Sequence, residues 1–139
     1  MECIFCNIIK GKIPVRKVME TKKSLAFLDA HPLTKGHTLV IPKNHYSKIQ
    51  EMSKDDNMDL FDSVKILTNT IEQLFSSSLI AIHNGKESGQ EVQHVHVHII
   101  PRTIDDGAGS VHTMFRKRPH FTKNELDQIA EKLSKKIEG

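Results

Sequence analysis

HVHVHII, residues 94–100, is the stretch that decides the fold of this chain. Its histidines occupy alternate positions, and the residues between and after them are β-branched valines and isoleucines. Strict alternation of polar and apolar residues is typical of a half-buried strand, because successive side chains point to opposite faces. The pattern predicts a strand with its valines toward a core and with His94, His96 and His98 in a row on the other face. Such a row favours a site for an anion or a metal ion.

Segments on both sides of this stretch predict further strands and helices. Ser53 and Asp56 resemble a capping box that opens a long helix, and Thr122 and Glu125 resemble a second one that opens a terminal helix. Strands are predicted at residues 14–20, 24–30, 37–42, 78–83 and 92–100, and helices at residues 3–10, 53–75 and about 122–138. Short connections between strands, with the helices grouped rather than alternating with them, indicate an α+β fold with an antiparallel sheet.

Length and composition predict one domain over residues 1–139 and argue against several classes of protein. The chain has a net charge of +3 and no apolar run near the ~20 residues that span a bilayer. Its N-terminus, MECIFCNIIKGK, carries an acid at position 2 and lacks the pattern of a secretion signal. We therefore expect a cytoplasmic protein without a membrane partner. The mild charge argues against nucleic acid as a partner, and the basic residues 116–118 are interpreted as a solvated loop.

Two kinds of chemistry fit three imidazoles on one strand face. They can help to bind a metal ion, although neighbours along a flat strand cannot all converge on one ion. Alternatively, one neutral imidazole acts as a nucleophile on a phosphate while its neighbours position it. The loop before the strand favours the second, because Gly85 and Gly89 let backbone N–H groups approach an anion and Gln90 adds an amide. His37 is expected to reach the same face. A row of solvated or core histidines is the remaining alternative.

The histidine stretch resembles the motif of the histidine-triad (HIT) superfamily, in which three histidines alternate with apolar residues. The likeness extends along the chain, since IFCNIIKGKIP, LAFLDAHP, GHTLVIPKNH and NGKESGQEVQHVHVHIIPR resemble that family's sequence blocks in the same order. The resemblance implies a HIT-like α+β fold, with one long and shorter helices, in a homodimer. It also implies a hydrolase that cleaves a phosphoanhydride or phosphoramidate bond at the α-phosphate of a purine nucleotide of the AMP type.

The resemblance further implies roles for individual residues. His96 is expected to attack the α-phosphorus and form a nucleotidyl-histidine intermediate that water then cleaves. His98 is expected to contact the phosphate, and His37 to join the histidine network. Asp29 matches the acid that binds the ribose hydroxyls. The other nucleotide-binding residues that the resemblance implies are Gln90, Gly89 and His83 beside the phosphate and Ile4, Phe5, Ile8, Phe27 and Leu28 around the base. For each apolar member the alternative is a plain core position.

Three features depart from the family pattern. His83 stands where relatives usually carry Asn or Gln, so its charge is expected to depend on pH. Glu91 stands where some relatives have a small hydroxyl residue near the leaving group, and a carboxylate there is expected to face outward or to act on an amine. The chain has no Trp and so lacks the tail of the phosphoramidase branch, while IIPR after the triad resembles the dinucleoside polyphosphate hydrolases. These residues leave the choice of substrate open.

Cys3 and Cys6 form a CxxC pair, which on its own fits a redox pair, half of a zinc site or two buried thiols. A redox motif normally lies in a thioredoxin-like βαβ unit, which is not predicted here. Some HIT proteins that resemble this chain bind zinc through such a pair, a later histidine and the first histidine of the triad. The resemblance therefore implies a structural zinc ion held by Cys3, Cys6, His45 and His94, with a metal-free thiol pair as the alternative.

Two other functions are compatible with the sequence. A nucleotidyltransferase of the same fold passes the nucleotide to an acceptor other than water, although such transferases usually replace the third histidine with Gln. A nucleotide-binding or protein-interaction module with incidental turnover is the alternative from a different class. Titration separates a module from an enzyme, because a module binds the nucleotide without turnover above the background rate.

Overall fold

The described residues, 2–139 of a computed structural model, form five strands and three α-helices. The chain divides into two compact units, one ending at Asp106 and the other beginning at Gly107. The first unit contains α1 (Ile4–Ile9), β1 (Lys17–Glu20), β2 (Ser24–Leu28), β3 (Thr38–Pro42), α2 (Lys54–Leu74), β4 (Ser77–Ala81) and β5 (Val97–Arg102). The second contains α3 (Lys123–Glu138). Single 3-10 turns lie at Ile49–Glu51, Lys86–Ser88 and Val111–Met114.

The strands form one antiparallel sheet in the order β1-β2-β3-β5-β4. This arrangement confirms the predicted α+β fold with an antiparallel sheet. Alternate residues of β2 and β3 divide between two buried clusters, as the period of a strand requires. Ala26 and Val40 pack with the apolar face of α2. Leu39 and its neighbours on the opposite side pack with Phe5 and Ile8 of α1. The short helix α1 thereby covers the sheet face that carries the histidines.

The histidine strand begins later than the alternation predicts. Its ladder starts at Val97, not at residue 92, so the chain around His94 lies outside the sheet. Two contacts from distant segments hold this part instead: the Val95 N–H donates to the Tyr46 carbonyl at 2.8 Å, and the His94 ring meets the Pro42 carbonyl. The predicted alternation of faces holds nonetheless, because Val95, Val97 and Ile99 are fully buried in the α2 cluster.

The start of α2 anchors the loop that follows β3. Ser53 caps the helix by accepting the Asp56 N–H, but the Asp56 carboxylate does not complete the predicted capping box. It accepts hydrogen bonds from the Tyr46 hydroxyl at 2.6 Å and from the Asn44 amide at 2.9 Å. These bonds satisfy a carboxylate that is only 3% exposed. They also fix the loop that carries His45.

The second unit is dominated by α3, which begins at the predicted place. Thr122 and Glu125 form the full capping box, with each side chain bonded to the other's backbone N–H. The apolar stripe of α3 is exposed and consists of Leu126, Ile129, Leu133 and Ile137. No residue of α3 is buried. Among residues 2–139, no helix is both long enough and apolar enough to cross a membrane.

Candidate functional site

Four potential metal ligands meet at the N-terminal end of the histidine stretch. Cys3 caps α1 and Cys6 lies in its first turn, His45 lies in the loop after β3, and His94 precedes β5. The His94 Nδ1 atom lies 3.4 Å from the Cys3 sulfur, 3.7 Å from the Cys6 sulfur and 3.1 Å from the His45 Nδ1. The Cys6 sulfur lies 3.5 Å from the His45 Nδ1. The predicted set of metal-binding residues is thus brought together.

The spacing of these atoms fits a tetrahedral zinc ion. Nitrogen at about 2.1 Å and sulfur at about 2.3 Å from one zinc ion lie about 3.3–3.8 Å from each other. The three sulfur–nitrogen separations of 3.4, 3.5 and 3.7 Å fall in that range, and the His45–His94 nitrogen separation of 3.1 Å is slightly shorter. The His94 Nε2–H donates to the Pro42 carbonyl at 2.8 Å, which turns the Nδ1 lone pair toward the cluster. Burial lowers the pKa of His94 to about 4, so the ring is neutral, as a ligand must be.

A cavity of about 680 Å³ lies beside this cluster, with α1 on one side and the histidines on the other. Its apolar wall includes the residues that the resemblance assigns to a base pocket: Ile4, Phe5, Ile8, Phe27 and Leu28. Its polar wall includes Asp29, His37, His83, Gly89, Glu91, His96 and His98. An apolar end next to a few convergent polar groups is typical of a small-molecule site.

His96 presents a free lone pair to this cavity. Its Nδ1 lies 2.8 Å from the His94 carbonyl oxygen, which can only accept, so Nδ1 carries the proton. A neutral imidazole then has its lone pair on Nε2. Among the described residues, none forms a hydrogen bond with that nitrogen. The ring of Phe5 packs edge-on against His96, with 5.1 Å between centroids, and so restricts its orientation. The arrangement is that of an oriented nucleophile.

His98 differs from His96 in the ring nitrogen that carries the proton. The Leu33 N–H donates to His37 Nδ1 at 3.1 Å, so the proton of neutral His37 lies on Nε2. His37 Nε2–H then donates to His98 Nδ1 at 3.0 Å. His98 therefore carries its proton on Nε2, a buried atom without a partner among residues 2–139. An unsatisfied buried N–H in a cavity wall favours an anionic ligand oxygen.

A second group of potential metal ligands, Asp29, His37 and His98, differs from the cysteine cluster because its ring nitrogens are used in hydrogen bonds. Asp29, His37 and His98 also lie within reach of a common metal ion. However, the Leu33 N–H occupies one nitrogen of His37, and the proton on the other faces His98. A protonated nitrogen cannot bind a metal. The trio is therefore better described as a proton-bonded chain, to which Asp29 adds a longer contact of 3.7 Å with His37.

Burial keeps the histidines of the cavity neutral. It lowers the pKa of His96 and of His37, with the Asp29 carboxylate opposing the shift in both cases. Burial and the neighbouring His96 and His37 lower the pKa of His98 to about 4. Near neutral pH these three rings thus offer a lone pair and N–H groups rather than full positive charges.

The polar groups of the glycine loop bond largely to the protein itself, and the expected contacts of this loop with a phosphate stay predictions. Gln90 does not line the cavity, because its amide accepts the Gly85 N–H at 2.8 Å and donates to the Ser47 and Val92 carbonyls. The N–H groups of Gly85, Gly89 and Gln90 all bond within the loop. The glycines allow the backbone conformation of this loop. Gly89 has φ +104°, and a Cβ there would meet the His83 ring at 3.3 Å.

Sequence reasoning missed part of the cavity wall. Residues 13–15, which connect α1 to β1, line the apolar side together with Leu33, Leu39 and Val92. The only signal for residues 13–15 was Pro14, which was interpreted as the start of an extended segment. It also missed Tyr46 and Asn44, which hold the His45 loop through Asp56. Their partners lie ten or more residues away in the sequence, so local patterns carried no signal for them.

Comparisons with known proteins agree with this geometry. A family model described as the HIT domain matches residues 10–104. The adenosine 5'-monophosphoramidase of Schizosaccharomyces pombe is 41% identical over 138 residues, which cover 99% of each chain. The crystal structure of a HIT family member from Bacillus subtilis superposes with a TM-score of 0.86 at 38% identity and covers 97% of this chain and 96% of that one. A Zn-bound histidine triad family protein from Mycobacterium smegmatis has a TM-score of 0.73 at 31% identity, covering 86% and 85% of the two chains.

Proposed function

Because this chain belongs to the histidine-triad (HIT) family, we propose that it hydrolyses purine nucleotides at the α-phosphate through a covalent nucleotidyl-histidine intermediate. One observation carries the proposal. His96 and His98, two residues apart, present a bare nitrogen and an N–H group to the same cavity. A nucleophile beside a hydrogen-bond donor is what attack on a phosphorus centre requires. The resemblance to an adenosine 5'-monophosphoramidase supports an AMP-type substrate.

The proposed reaction has two steps. His96 Nε2 attacks the α-phosphorus, and the bond from phosphorus to the leaving group breaks with its electron pair going to the leaving group. Water then attacks the nucleotidyl-His96, which releases the nucleoside monophosphate and restores the neutral imidazole. The His98 Nε2–H stabilises charge on a phosphate oxygen in both steps. His37 is a positioning residue, because its bond to His98 sets which nitrogen carries the proton.

The rest of the nucleotide is proposed to lie along the cavity wall. Phe5, Phe27 and the isoleucines of α1 bury the purine, and the Asp29 carboxylate accepts hydrogen bonds from the ribose hydroxyls. Asp29 Oδ1 already accepts the His31 N–H at 2.9 Å, which holds the carboxylate toward the cavity. His83 and Gly89 border the phosphate position. Gln90 acts indirectly, by holding the loop that contains Gly89.

Zinc is proposed to be structural. Cys3, Cys6, His45 and His94 would hold it as a closed set with no position left for water, and the Zn-bound relative supports this assignment. When bound, the ion would cross-link α1 to the chain before β5. That link would keep Phe5 against His96 and so hold the nucleophile in place.

A homodimer is the proposed form of the protein in solution. Two features support it: β4 is an edge strand whose Ile80 is 45% exposed, and α3 carries an uncovered apolar stripe. Sedimentation at micromolar concentration tests it. The variant Ile80→Lys is expected to sediment more slowly than the wild type, whereas Ile104→Lys, at a fully exposed loop position, is not.

Trapping the intermediate tests the mechanism. The protein is mixed rapidly with adenosine 5'-phosphoramidate, denatured at alkaline pH and digested for mass spectrometry. An adenylyl group is expected on the peptide that contains His96. The variant His96→Ala should carry no label, whereas His112→Ala, in the second unit, should be labelled as the wild type is. Label on another histidine, or turnover by His96→Ala, contradicts the proposal.

A further inference from the structure

We propose that Glu91 selects substrates whose leaving group is an amine bearing a positive charge. This inference rests on the proposed function and names the charge of the group that the reaction releases. Glu91 lies in the wall of the same cavity as His96 and His98. It is a specificity-determining residue and takes no part in forming or breaking a covalent bond.

The charges around the cavity argue against a polyanionic leaving group. Among the described residues of its wall, none is Lys or Arg, and two are carboxylates, Asp29 and Glu91. His37 and His98 each accept a hydrogen bond at Nδ1, which a doubly protonated ring cannot do, so these two rings do not supply full positive charges. The N–H groups of Gly85 and Gly89 are used within their own loop. A chain of phosphates would therefore meet carboxylates without the basic side chains that usually neutralise it.

The two carboxylates of the cavity differ in what they already bind. Asp29 accepts the His31 N–H and approaches His37 at 3.7 Å, so its charge is partly compensated. Glu91 forms no ion pair or hydrogen bond with any residue in the part of the chain that the structure describes. An uncompensated carboxylate in the wall of the cavity that contains the nucleophile stabilises a cation there and repels an anion.

The bond changes are those of the proposed reaction with an amine as leaving group. His96 Nε2 bonds to the α-phosphorus, the P–N bond breaks, and the released nitrogen keeps the electron pair and takes a proton from solvent water. Water then cleaves the phosphorus–His96 bond, so the net reaction converts a phosphoramidate and water into AMP and an amine. A second, charged amino group on the leaving amine is the feature that Glu91 would recognise.

Three matched substrates test this inference. They are adenosine 5'-phosphoramidates whose nitrogen carries a 2-aminoethyl, an n-propyl or a 2-carboxyethyl group, which differ in charge but little in size. For the wild type we expect kcat/KM to fall from the cationic to the neutral to the anionic substrate, by about three- to five-fold per step. In Glu91→Gln the three values should converge. Glu87→Gln, an exposed acid of the same loop outside the cavity wall, should keep the wild-type order.

The outcomes separate this inference from the proposed function. Equal kcat/KM for the three substrates in the wild type, or an unchanged order in Glu91→Gln, overturns the role of Glu91 and leaves the nucleotidyl-histidine mechanism standing. If no substrate is hydrolysed and none labels His96, the proposed function is wrong and this inference fails with it. Raising the salt concentration should shrink the wild-type preference, because an exposed charge is screened.

Discussion

His94 and His98 belong to one run of alternating histidines, yet they lie at the ends of two very different clusters. The cluster around His94 is closed: its four ligand atoms all lie within 4.8 Å of one another, and four of the separations are 3.1–3.7 Å. The cluster around His98, which includes His37 and Asp29, is open. It ends in the buried Nε2–H of His98, which has no partner in the described chain. The first arrangement suits an ion that stays, and the second suits a ligand that comes and goes.

The difference arises from the partner of each ring, not from the ring itself. A backbone carbonyl accepts a hydrogen bond from the Nε2–H of His94, and another accepts one from the Nδ1–H of His96. His98 instead receives a hydrogen bond from His37, whose own proton position is set by the Leu33 N–H. Three identical side chains thus offer a metal ligand, a nucleophile and a donor. Their chemistry is decided by atoms outside the histidine run.

The sharpest test makes the same substitution at His94, in the closed cluster, and at His96, whose ring contacts His98 of the open cluster. His96→Ala is expected to lower turnover of adenosine 5'-phosphoramidate by at least about ten-thousand-fold, because it removes the proposed nucleophile. It should leave the zinc content of the purified protein unchanged. His94→Ala should remove the zinc. Turnover rates and metal analysis by mass spectrometry on both variants check the contrast.

Swapped results would break the comparison. If His94→Ala kept its zinc while His96→Ala lost it, the assignment of closed and open clusters would be reversed. A Cys3→Ser variant serves as the matched control, since it alters the closed cluster without touching the histidine run.

Removing the metal gives the next largest effect. Because the proposed zinc ion would bind the folded cluster and not the unfolded chain, free zinc at a thousand-fold excess over Kd should raise the free energy of unfolding by roughly 4 kcal/mol. Chelation should abolish this increment, as measured by urea unfolding with and without chelator. Cys6→Ser should be insensitive to the chelator. A wild type that is equally insensitive would show that the thiols are free.

Sequence reasoning found the clusters but not how they are oriented. The α+β fold followed from strand periodicity, and the ligand set followed from the resemblance to zinc-binding HIT proteins. The position of the β5 start could not follow, because it depends on Tyr46 and Pro42, about 50 residues earlier in the chain. The contacts of Gln90 could not follow for the same reason, since its amide donates to the Ser47 carbonyl. Local patterns specify which residues can act, whereas distant backbone atoms decide which nitrogen is free.

A smaller effect is expected from the support of the closed cluster. Asp56→Asn removes the charge that accepts the Tyr46 hydroxyl and the Asn44 amide, so the loop carrying His45 should loosen. We expect the free energy of unfolding to fall by about 1–3 kcal/mol at pH 7. Urea unfolding measures this value.

The pH dependence of the free energy of unfolding gives a second test of the hydrogen bonds to Asp56. The Tyr46 and Asn44 hydrogen bonds lower the pKa of Asp56, so its stabilisation is present above the ordinary carboxyl pKa and is lost as the pH falls through the lowered one. Asp55→Asn, an exposed acid in the same helical turn, should change stability by less than about 0.5 kcal/mol. Equal effects of the two substitutions would show that Asp56 does not support the loop.

The smallest effect concerns the open cluster in acid. Burial lowers the pKa of His98 to about 4, so between about pH 6.5 and pH 4 the unfolded chain binds a proton there that the folded chain does not. The free energy of unfolding should therefore fall as the pH drops through this window, and His98 should account for about 1 kcal/mol of the fall, since its ring is only partly buried.

His98→Gln keeps an acceptor for His37 but cannot titrate. With chelator present throughout, so that acid release of zinc does not contribute, its stability should fall less steeply with pH than that of the wild type. Identical slopes for the two proteins would mean that folding leaves the pKa of His98 at its ordinary value, and burial would then not be what keeps this ring neutral.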